Sequence, residues 1–331
     1  MIFVTGGAGF IGSNFILKWM ESSKEDILNI DNLSYAANLK NLKSISSESR
    51  YKFVQANIQD QNTIENLLEE HNPRAILNFA AESHVDKSIA GPEAFINANI
   101  LGTFSMLSAA LKFYKNLEKE RKDKFRFIHV STDEVFGSLS LSDPSSDEES
   151  PYKPNSPYSA SKAASDHIVR AWFHTYGLPT ITSNCTNNYG PRQFTEKLIP
   201  LMISNAINGK KLPIYGDGKN IRDWLYVEDH CSAIRKILEK GRVGETYNIG
   251  GNSEKNNNEI VSEICKILDA ISPKEDKTSY SSQIEYIKDR AGHDFRYSLD
   301  ISKIKKELGW FPEETFSAGL EKTVKWYLDN L

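Results

Sequence analysis

The chain opens on an apolar run, Ile2-Phe3-Val4-Thr5, that leads directly into Gly6-Gly7-Ala8-Gly9-Phe10-Ile11-Gly12 and then into an amphipathic stretch. This order of strand, glycine loop and helix constrains the fold more than any other feature. The spacing satisfies G-x-G-x-x-G through Gly7, Gly9 and Gly12, and G-x-x-G-x-x-G through Gly6, Gly9 and Gly12. Glycine permits the sharp turn and lets the backbone approach a pyrophosphate, while the helix N-terminus offers unpaired N–H groups and partial positive charge. The loop is informative because a strand and a helix flank it. Asp31 ends the second apolar run, roughly 20 residues beyond Gly12. A carboxylate there accepts hydrogen bonds from ribose hydroxyls and repels a 2′-phosphate, which selects NAD over NADP. The first basic residue after it is Lys40.

Short β-branched runs at 2–5, 27–30, 51–55, 75–79, 126–131 and 180–184 alternate with helical patterns such as 12–21, 61–71 and 99–114. That alternation predicts βαβ units, a parallel sheet and right-handed crossovers with helices on both faces. The expected fold is α/β: a Rossmann-type doubly wound parallel sheet with a smaller C-terminal substrate-binding domain. A length of 331 residues accommodates two domains at roughly 150 residues each. Past residue 185 the periodicity changes, and turn signals appear at Tyr189-Gly190-Pro191 and Tyr215-Gly216-Asp217-Gly218. The division is therefore 1–185 for the NAD-binding domain and 186–331 for a second, smaller domain. Segments near 223–250 return to the first, with 246–249 as a further strand. Residues 118–124 read as a solvated helix end and 138–150 as a mobile surface loop.

The 40 basic and 44 acidic side chains leave a net charge of −4. With no long basic block, neither nucleic acid nor an anionic membrane is expected as a partner. Cys185, Cys231 and Cys265 lie far apart, and the seven histidines form no ligand pair at helical spacing. No disulfide framework and no metal are expected. No basic leader and no 18-residue apolar run is recognised in the sequence, so the reading is a soluble cytoplasmic protein.

Tyr158 and Lys162 stand four apart at the start of a helical pattern and share one face. A free tyrosine, with a pKa of about 10, is a poor base near neutrality. A nearby ammonium and a nicotinamide cation both favour the phenolate, which then removes a hydroxyl proton as hydride leaves the same carbon. Ser131-Thr132-Asp133-Glu134 ends the run 126–131. Ligands of open α/β sheets bind at the carboxyl ends of strands, so this hydroxyl and two acids face the cleft; a turn cap is the competing reading. Two close carboxyls repel, and one tends to keep its proton. Adjacent residues on an extended segment point to opposite sides, so the residues alone leave open whether both acids reach one substrate.

The chain resembles, nearly end to end, the extended short-chain dehydrogenase/reductase family and its nucleotide-sugar dehydratases. The resemblance is carried by Gly6–Gly12, Ala80-Ala81-Glu82-Ser83-His84-Val85-Asp86, Thr132-Asp133-Glu134, Tyr158–Lys162, Asn187–Pro191, Arg222–His230 and Asp289–Asp294. It implies oxidation of a hexose at the fourth carbon, loss of water across the fifth and sixth, and reduction at the sixth, with NAD regenerated. In that scheme Tyr158 is the base of the oxidation. Thr132 bonds the reacting oxygen, and Lys162 holds the ribose and tunes Tyr158. Glu134 removes the proton from the fifth carbon, and Asp133 protonates the departing hydroxyl. The resemblance further implies that Phe10, Ile11, Asn32, Ser34, Asn57, Ile58, Ala80, Ala81 and Asn99 join Gly6, Gly9, Gly12 and Asp31 around NAD. Ser83, His84, Thr132, Asn187, Lys197, Leu198, Tyr215, Arg222, Asn257, Arg290 and His293 would bind the nucleotide-sugar, dTDP-glucose. Lys197, Arg222 and Arg290 are suited to neutralising a diphosphate. A homodimer through two long helices is implied as well.

The sequence departs from the family at Asn57, where Asp is usual, at Ala291, where Pro is common, and at Ala98, where a polar residue is usual. An amide carbonyl at Asn57 still accepts a hydrogen bond from an adenine amino group. Other nucleotide-sugar enzymes, 4-epimerases or decarboxylases, share the fold and the Tyr-Lys pair but have no need of Asp133-Glu134. A non-catalytic NAD-sensing regulator could dispense with all of these side chains.

Overall fold

The chain forms thirteen strands: β1 (Ile2–Thr5), β2 (Ile27–Asp31), β3 (Tyr51–Gln55), β4 (Ala75–Asn78), β5 (Arg126–Thr132), β6 (Thr180–Cys185), β7 (Asn187–Tyr189), β8 (Leu212–Tyr215), β9 (Ile221–Tyr226), β10 (Thr246–Ile249), β11 (Glu254–Asn256), β12 (Ile284–Ile287) and β13 (Arg296–Tyr297). They are described by a computed structural model that covers residues 1–331. Seven strands pair in the order β10-β6-β5-β4-β1-β2-β3, every pair parallel. All four residues of β1 are buried, as a strand covered on both faces requires. Alternation along β1 divides the interior. Ile2 and Val4 join Phe15, Trp19, Ile128 and Ile234 on one side of the sheet. Phe3 joins Leu28, Ile76, Met106 and Phe127 on the other. Strand order reverses between β1 and β4, and that switch point is where a crevice opens in such sheets.

Helix boundaries follow local chemistry. The Gln61–His71 helix starts where the Asp60 side chain accepts from Thr63 N–H and stops at Asn72 in the left-handed region. The expected helix 99–114 lies inside a continuous helix Glu93–Asn116, whose residues Ile96–Leu101 form a π-helical turn. This corrects the reading of the sequence as free of long apolar runs. The helix has 24 residues with a hydropathy of 1.4, long and apolar enough to cross a membrane. Its inward face, including Met106, Ala109, Ala110 and Phe113, is core.

A second core gathers Tyr189, Ile203, Ile264 and Leu320. Here β9 pairs with β11, β13 and β7, and β8 pairs with β12. Segments of residues 186–331 pack with the main sheet. β10 completes the main sheet, the Val227–Lys240 helix packs into the first core through Cys231, Ile234 and Ile237, and so do Ile301, Ile304, Leu308 and Trp310. The segment 138–150 is also not a free loop. Leu139 N–H donates to Arg296 O at 2.9 Å, Ser146 N–H to Ser298 O at 2.9 Å, and Asp300 N–H to Ser146 O at 2.8 Å. Its partners lie about 150 residues away, beyond the reach of local sequence rules. Residues Lys119–Lys124 form a short helix with no buried residue.

Candidate active site

A cavity of about 460 Å³ opens over the switch point. Gly6 has φ +68°, and a Cβ there would lie 2.7 Å from Ala80 N; only glycine turns the chain at this point. A Cβ on Gly12 would collide with Gly6 O. The Phe10–Ser22 helix is capped by Gly9 with no side-chain hydrogen bond, which leaves its first N–H groups for an anion. Asp31 accepts from Ala8 N–H at 2.9 Å and Leu33 N–H at 2.8 Å. These bonds aim the carboxylate, and each oxygen keeps a free lone pair. The uncapped helix end, the glycine cradle and the buried acid fit a dinucleotide.

Gly6, Gly9, Phe10, Ile11, Gly12, Asp31, Asn32, Ser34, Asn57, Ile58, Ala80 and Ala81 all line the cavity. Asn57 has a local task as well: its Oδ1 accepts from Gln59 N–H at 3.0 Å, holding a turn with one lone pair to spare. Asn99 stands behind the wall rather than in it. It accepts from Glu82 N–H at 2.8 Å and donates to Glu82 O at 3.0 Å and Ser161 Oγ at 2.8 Å, so it shapes the backbone that faces the cavity.

The helix Pro157–Tyr176 begins with a reciprocal cap between Ser156 and Ser159 and carries proline at its first position. That cap fixes Tyr158 in the first turn, with Lys162 one turn on, and both line the cavity. Lys162 Nζ donates to Val130 O at 2.8 Å. Burial pushes the Tyr158 phenol well above the ordinary tyrosine range; Glu134, Cys185 and Asp133 push it further, and the Thr132 hydroxyl opposes them. The ammonium and the nicotinamide cation expected to favour the phenolate therefore work against burial and acidic neighbours.

Strand β5 ends at Thr132, and Asp133–Phe136 form a 3₁₀ turn capped by Thr132. Thr132 Oγ1 accepts from Glu134 N–H at 3.3 Å and donates to Asp133 Oδ1 at 3.1 Å. The cap and the chemistry share one residue. Because the backbone is turned rather than extended, Asp133 and Glu134 both line the same cavity. Their environments differ. Burial and the neighbouring Glu134 hold the Asp133 carboxyl well above the usual carboxylate range, and its Oδ2 is buried without a hydrogen-bond partner. Burial also raises Glu134, but Arg222, Arg290 and Lys197 oppose it. The two carboxyls thus sit in unequal surroundings: three cations oppose burial at Glu134, whereas Glu134 adds to it at Asp133.

Ser83, Asn187 and Lys197 line the cavity, and Lys197 Nζ donates to Ser83 O at 2.7 Å. His84, Leu198, Tyr215, Arg222, Asn257, Arg290 and His293 do not form its wall. Arg222 is buried with its guanidinium 4.4 Å from the Tyr297 ring centre and donates to Asp294 O at 2.9 Å. Arg290 and the Tyr215 hydroxyl both donate to Asp86, at 3.2 and 3.3 Å, while His293 pairs with Asp289 at 2.6 Å. His84 caps the Val85–Ala90 helix. Leu198 and Asn257 open the Leu198–Ile207 and Asn257–Ile271 helices. Sequence reasoning missed Asp86, which gathers Tyr215 and Arg290. It also missed Glu196, which accepts from the Tyr35 hydroxyl at 3.0 Å and Lys87 Nζ at 3.1 Å. Both sit inside or beside motifs quoted above, yet their partners are far off in sequence.

A family model described as GDP-mannose 4,6 dehydratase matches residues 3–323. A dTDP-glucose 4,6-dehydratase of Xanthomonas campestris pv. campestris is 57% identical over 327 residues, covering 99% of this chain and 93% of the relative. Among solved structures, a dTDP-glucose 4,6-dehydratase of Bacillus anthracis in complex with NAD is 47% identical, with a TM-score of 0.88 over 99% of this chain and 96% of that one. One from Streptomyces venezuelae, also with NAD bound, is 42% identical, with a TM-score of 0.90 over 99% and 97%.

Proposed function

The chain belongs to the family described as GDP-mannose 4,6 dehydratase, and from that premise we infer that it is an NAD-dependent hydro-lyase converting dTDP-glucose to dTDP-4-keto-6-deoxyglucose and water. The nucleotide named in the family description differs from that of the relatives, and the 57% identity to a dTDP-glucose 4,6-dehydratase favours dTDP-glucose. The observation that carries the reading is the unequal acid pair Asp133 and Glu134, turned into one cavity wall beside Tyr158 and Lys162. An epimerase has no use for it.

NAD, when bound, would supply the hydride acceptor and donor of the cycle. Gly6, Gly9, Phe10, Ile11, Gly12 and Asp31 would hold its pyrophosphate and ribose end, and Lys162 its nicotinamide ribose. Tyr158 takes the proton from the hydroxyl on the fourth carbon, and Thr132 bonds that oxygen. Glu134, eased toward the carboxylate by Arg222, Arg290 and Lys197, takes the proton from the fifth carbon and gives it back to that carbon once the sixth is reduced. Asp133 delivers the proton it holds to the departing hydroxyl. Lys197, in the cavity wall with Ser83 and Asn187, balances the diphosphate, and Arg222 and the Tyr215–Arg290–Asp86 cluster, outside that wall, extend the nucleotide-sugar site. Residues 1–185 with the returning segments act as the cofactor unit, and the second core acts as the substrate unit.

The protein works in the cytoplasm as a homodimer on this reading. Three buried cysteines without a disulfide suit a reducing compartment. The outward faces of the helices Glu93–Asn116 and Pro157–Tyr176, with Ile96, Leu101, Phe104 and Tyr176 exposed, suit a second copy. Incubation with a panel of nucleotide-hexoses tests the activity. The expected result is a product from dTDP-glucose lighter by one water; a sugar of unchanged mass and inverted fourth carbon would refute it.

A further inference from the structure

Along the Pro157–Tyr176 helix, Tyr158, Lys162 and Asp166 recur at four-residue intervals and are all buried, so they form one stripe facing the sheet. Asp166 is buried and does not line the cavity. Its Oδ2 accepts from Ser131 Oγ at 2.8 Å, the Tyr152 hydroxyl at 3.0 Å and Asn184 Nδ2 at 3.4 Å. The same Asn184 amide donates to Thr132 O at 3.1 Å.

A second chain of bonds runs across the strands to His129, beside Asp166. Ala80 N–H donates to Thr5 Oγ1 at 3.3 Å, and Thr5 Oγ1 donates to Asn78 Oδ1 at 2.6 Å. That fixes the Asn78 amide nitrogen toward His129 Nδ1, at 3.3 Å. An amide N–H can only donate, so His129 accepts at Nδ1 and carries its proton on Nε2. Ser165 Oγ donates to Lys162 O at 2.8 Å and accepts from that Nε2 at 3.3 Å; Nε2 also lies 3.3 Å from Asp166 Oδ1, which has no hydrogen-bond partner. Donors from β5, β6 and the segment before the helix thus converge on Oδ2 of one buried carboxyl, as burial of such a group requires.

We propose that Asp166 is a positioning residue of the oxidation site: it fixes the Ser131–Thr132 floor and supplies the negative charge that keeps Lys162 an ammonium beside Tyr158. Its action is indirect, through Lys162 and Thr132. The charged and titratable groups around the stripe are His129 on β5, Asp133 and Glu134 on the turn, Tyr152 before the helix, Cys185 on β6 and Arg222 on β9. Of these, Asp166 is the group that most opposes the effect of burial on Lys162. The inference rests on the role of Tyr158 given above, but its test needs no sugar, so failure of the dTDP-glucose assignment is a separate outcome.

The test is a phenolate titration of the NAD-loaded enzyme by near-ultraviolet absorbance. The Tyr158 contribution is obtained by subtracting the Tyr158→Phe variant in each background. Asp166→Asn keeps the shape and removes the charge; the expected result is about tenfold less Tyr158 phenolate at a given pH, a rise in midpoint of about one unit. Asp166→Glu keeps the charge and should titrate within about 0.3 unit of the parent, a small part of a typical single-charge effect. An unmoved midpoint in a folded Asp166→Asn enzyme overturns the proposal, as does an equal shift in Asp166→Glu. If Asp166→Asn does not fold, carbon-13 NMR of Lys162 in the parent decides: an ammonium at pH 7.5 is expected, and a neutral amine overturns the proposal.

Discussion

Asp133 lies buried beside a second acid with one oxygen unpartnered, an arrangement kept for chemistry at the expense of stability. The sign of its pH dependence follows. An unfolded aspartate loses its proton near pH 4, whereas the folded carboxyl holds its proton well above that range. Folding therefore takes up a proton, and the contribution of Asp133 to stability is full below the unfolded value and is lost as pH rises through the folded one. Asp133→Asn removes the titration while its amide oxygen can still accept from Thr132 Oγ1. Its melting temperature relative to the parent should climb as pH is raised from about 4 to 8, on the order of 2–4 °C per kcal/mol gained. Calorimetry across that range checks this, and a difference independent of pH would contradict it. Tyr158→Phe tests the base. The ring retains its edge contact with Phe95, at 6.3 Å between centroids, so the fold should persist. Turnover on dTDP-glucose should fall by about 10² to 10⁴, and a variant at the parent's rate would exclude Tyr158 as the base.

At the scale of elements, the site depends on how strands and helices end. The strands were legible because β1 through β6 are β-branched runs broken by amphipathic stretches, and the glycine loop named the crevice before any coordinates. The Thr132 turn was not legible as a turn: Ser-Thr-Asp-Glu suits a strand end or a cap equally, and only its backbone bends both acids to one side. Nor was the fate of 138–150, since a Ser- and Asp-rich segment looks the same whether solvent or a distant arginine satisfies it. Arg296 forms a two-point pair with Glu254, at 2.6 and 2.7 Å, and also donates to Ser140 O at 3.2 Å and Asp143 O at 2.9 Å. Arg296→Leu should release this segment, so amide exchange at Leu139 and Ser146 should accelerate at least tenfold while the β1–β6 amides stay protected. Uniform acceleration across the sheet would mean that Arg296 supports the whole fold instead.

At the scale of the molecule, the Glu93–Asn116 helix raises a question of balance. Its hydropathy is 1.4, yet only 44% of that window is buried within the chain. The inward residues are accounted for by the core, but Ile96 and Leu101 are each 48% exposed and Phe104 is 43% exposed. Phe104 meets Trp172 edge-on at 5.7 Å, and Trp172 meets Tyr176 at 5.2 Å, so the patch runs unbroken from one long helix to the next. Contiguous apolar surface of this kind marks an interface. A two-fold axis between paired helices would bury the same patch from both copies. Leu101→Glu combined with Phe104→Glu places two carboxylates on each side of that axis. Sedimentation should then show a monomer where the parent shows a dimer, with a lower melting temperature and NAD still bound. If the parent sediments as a monomer, or the double variant as a dimer, the patch serves another contact.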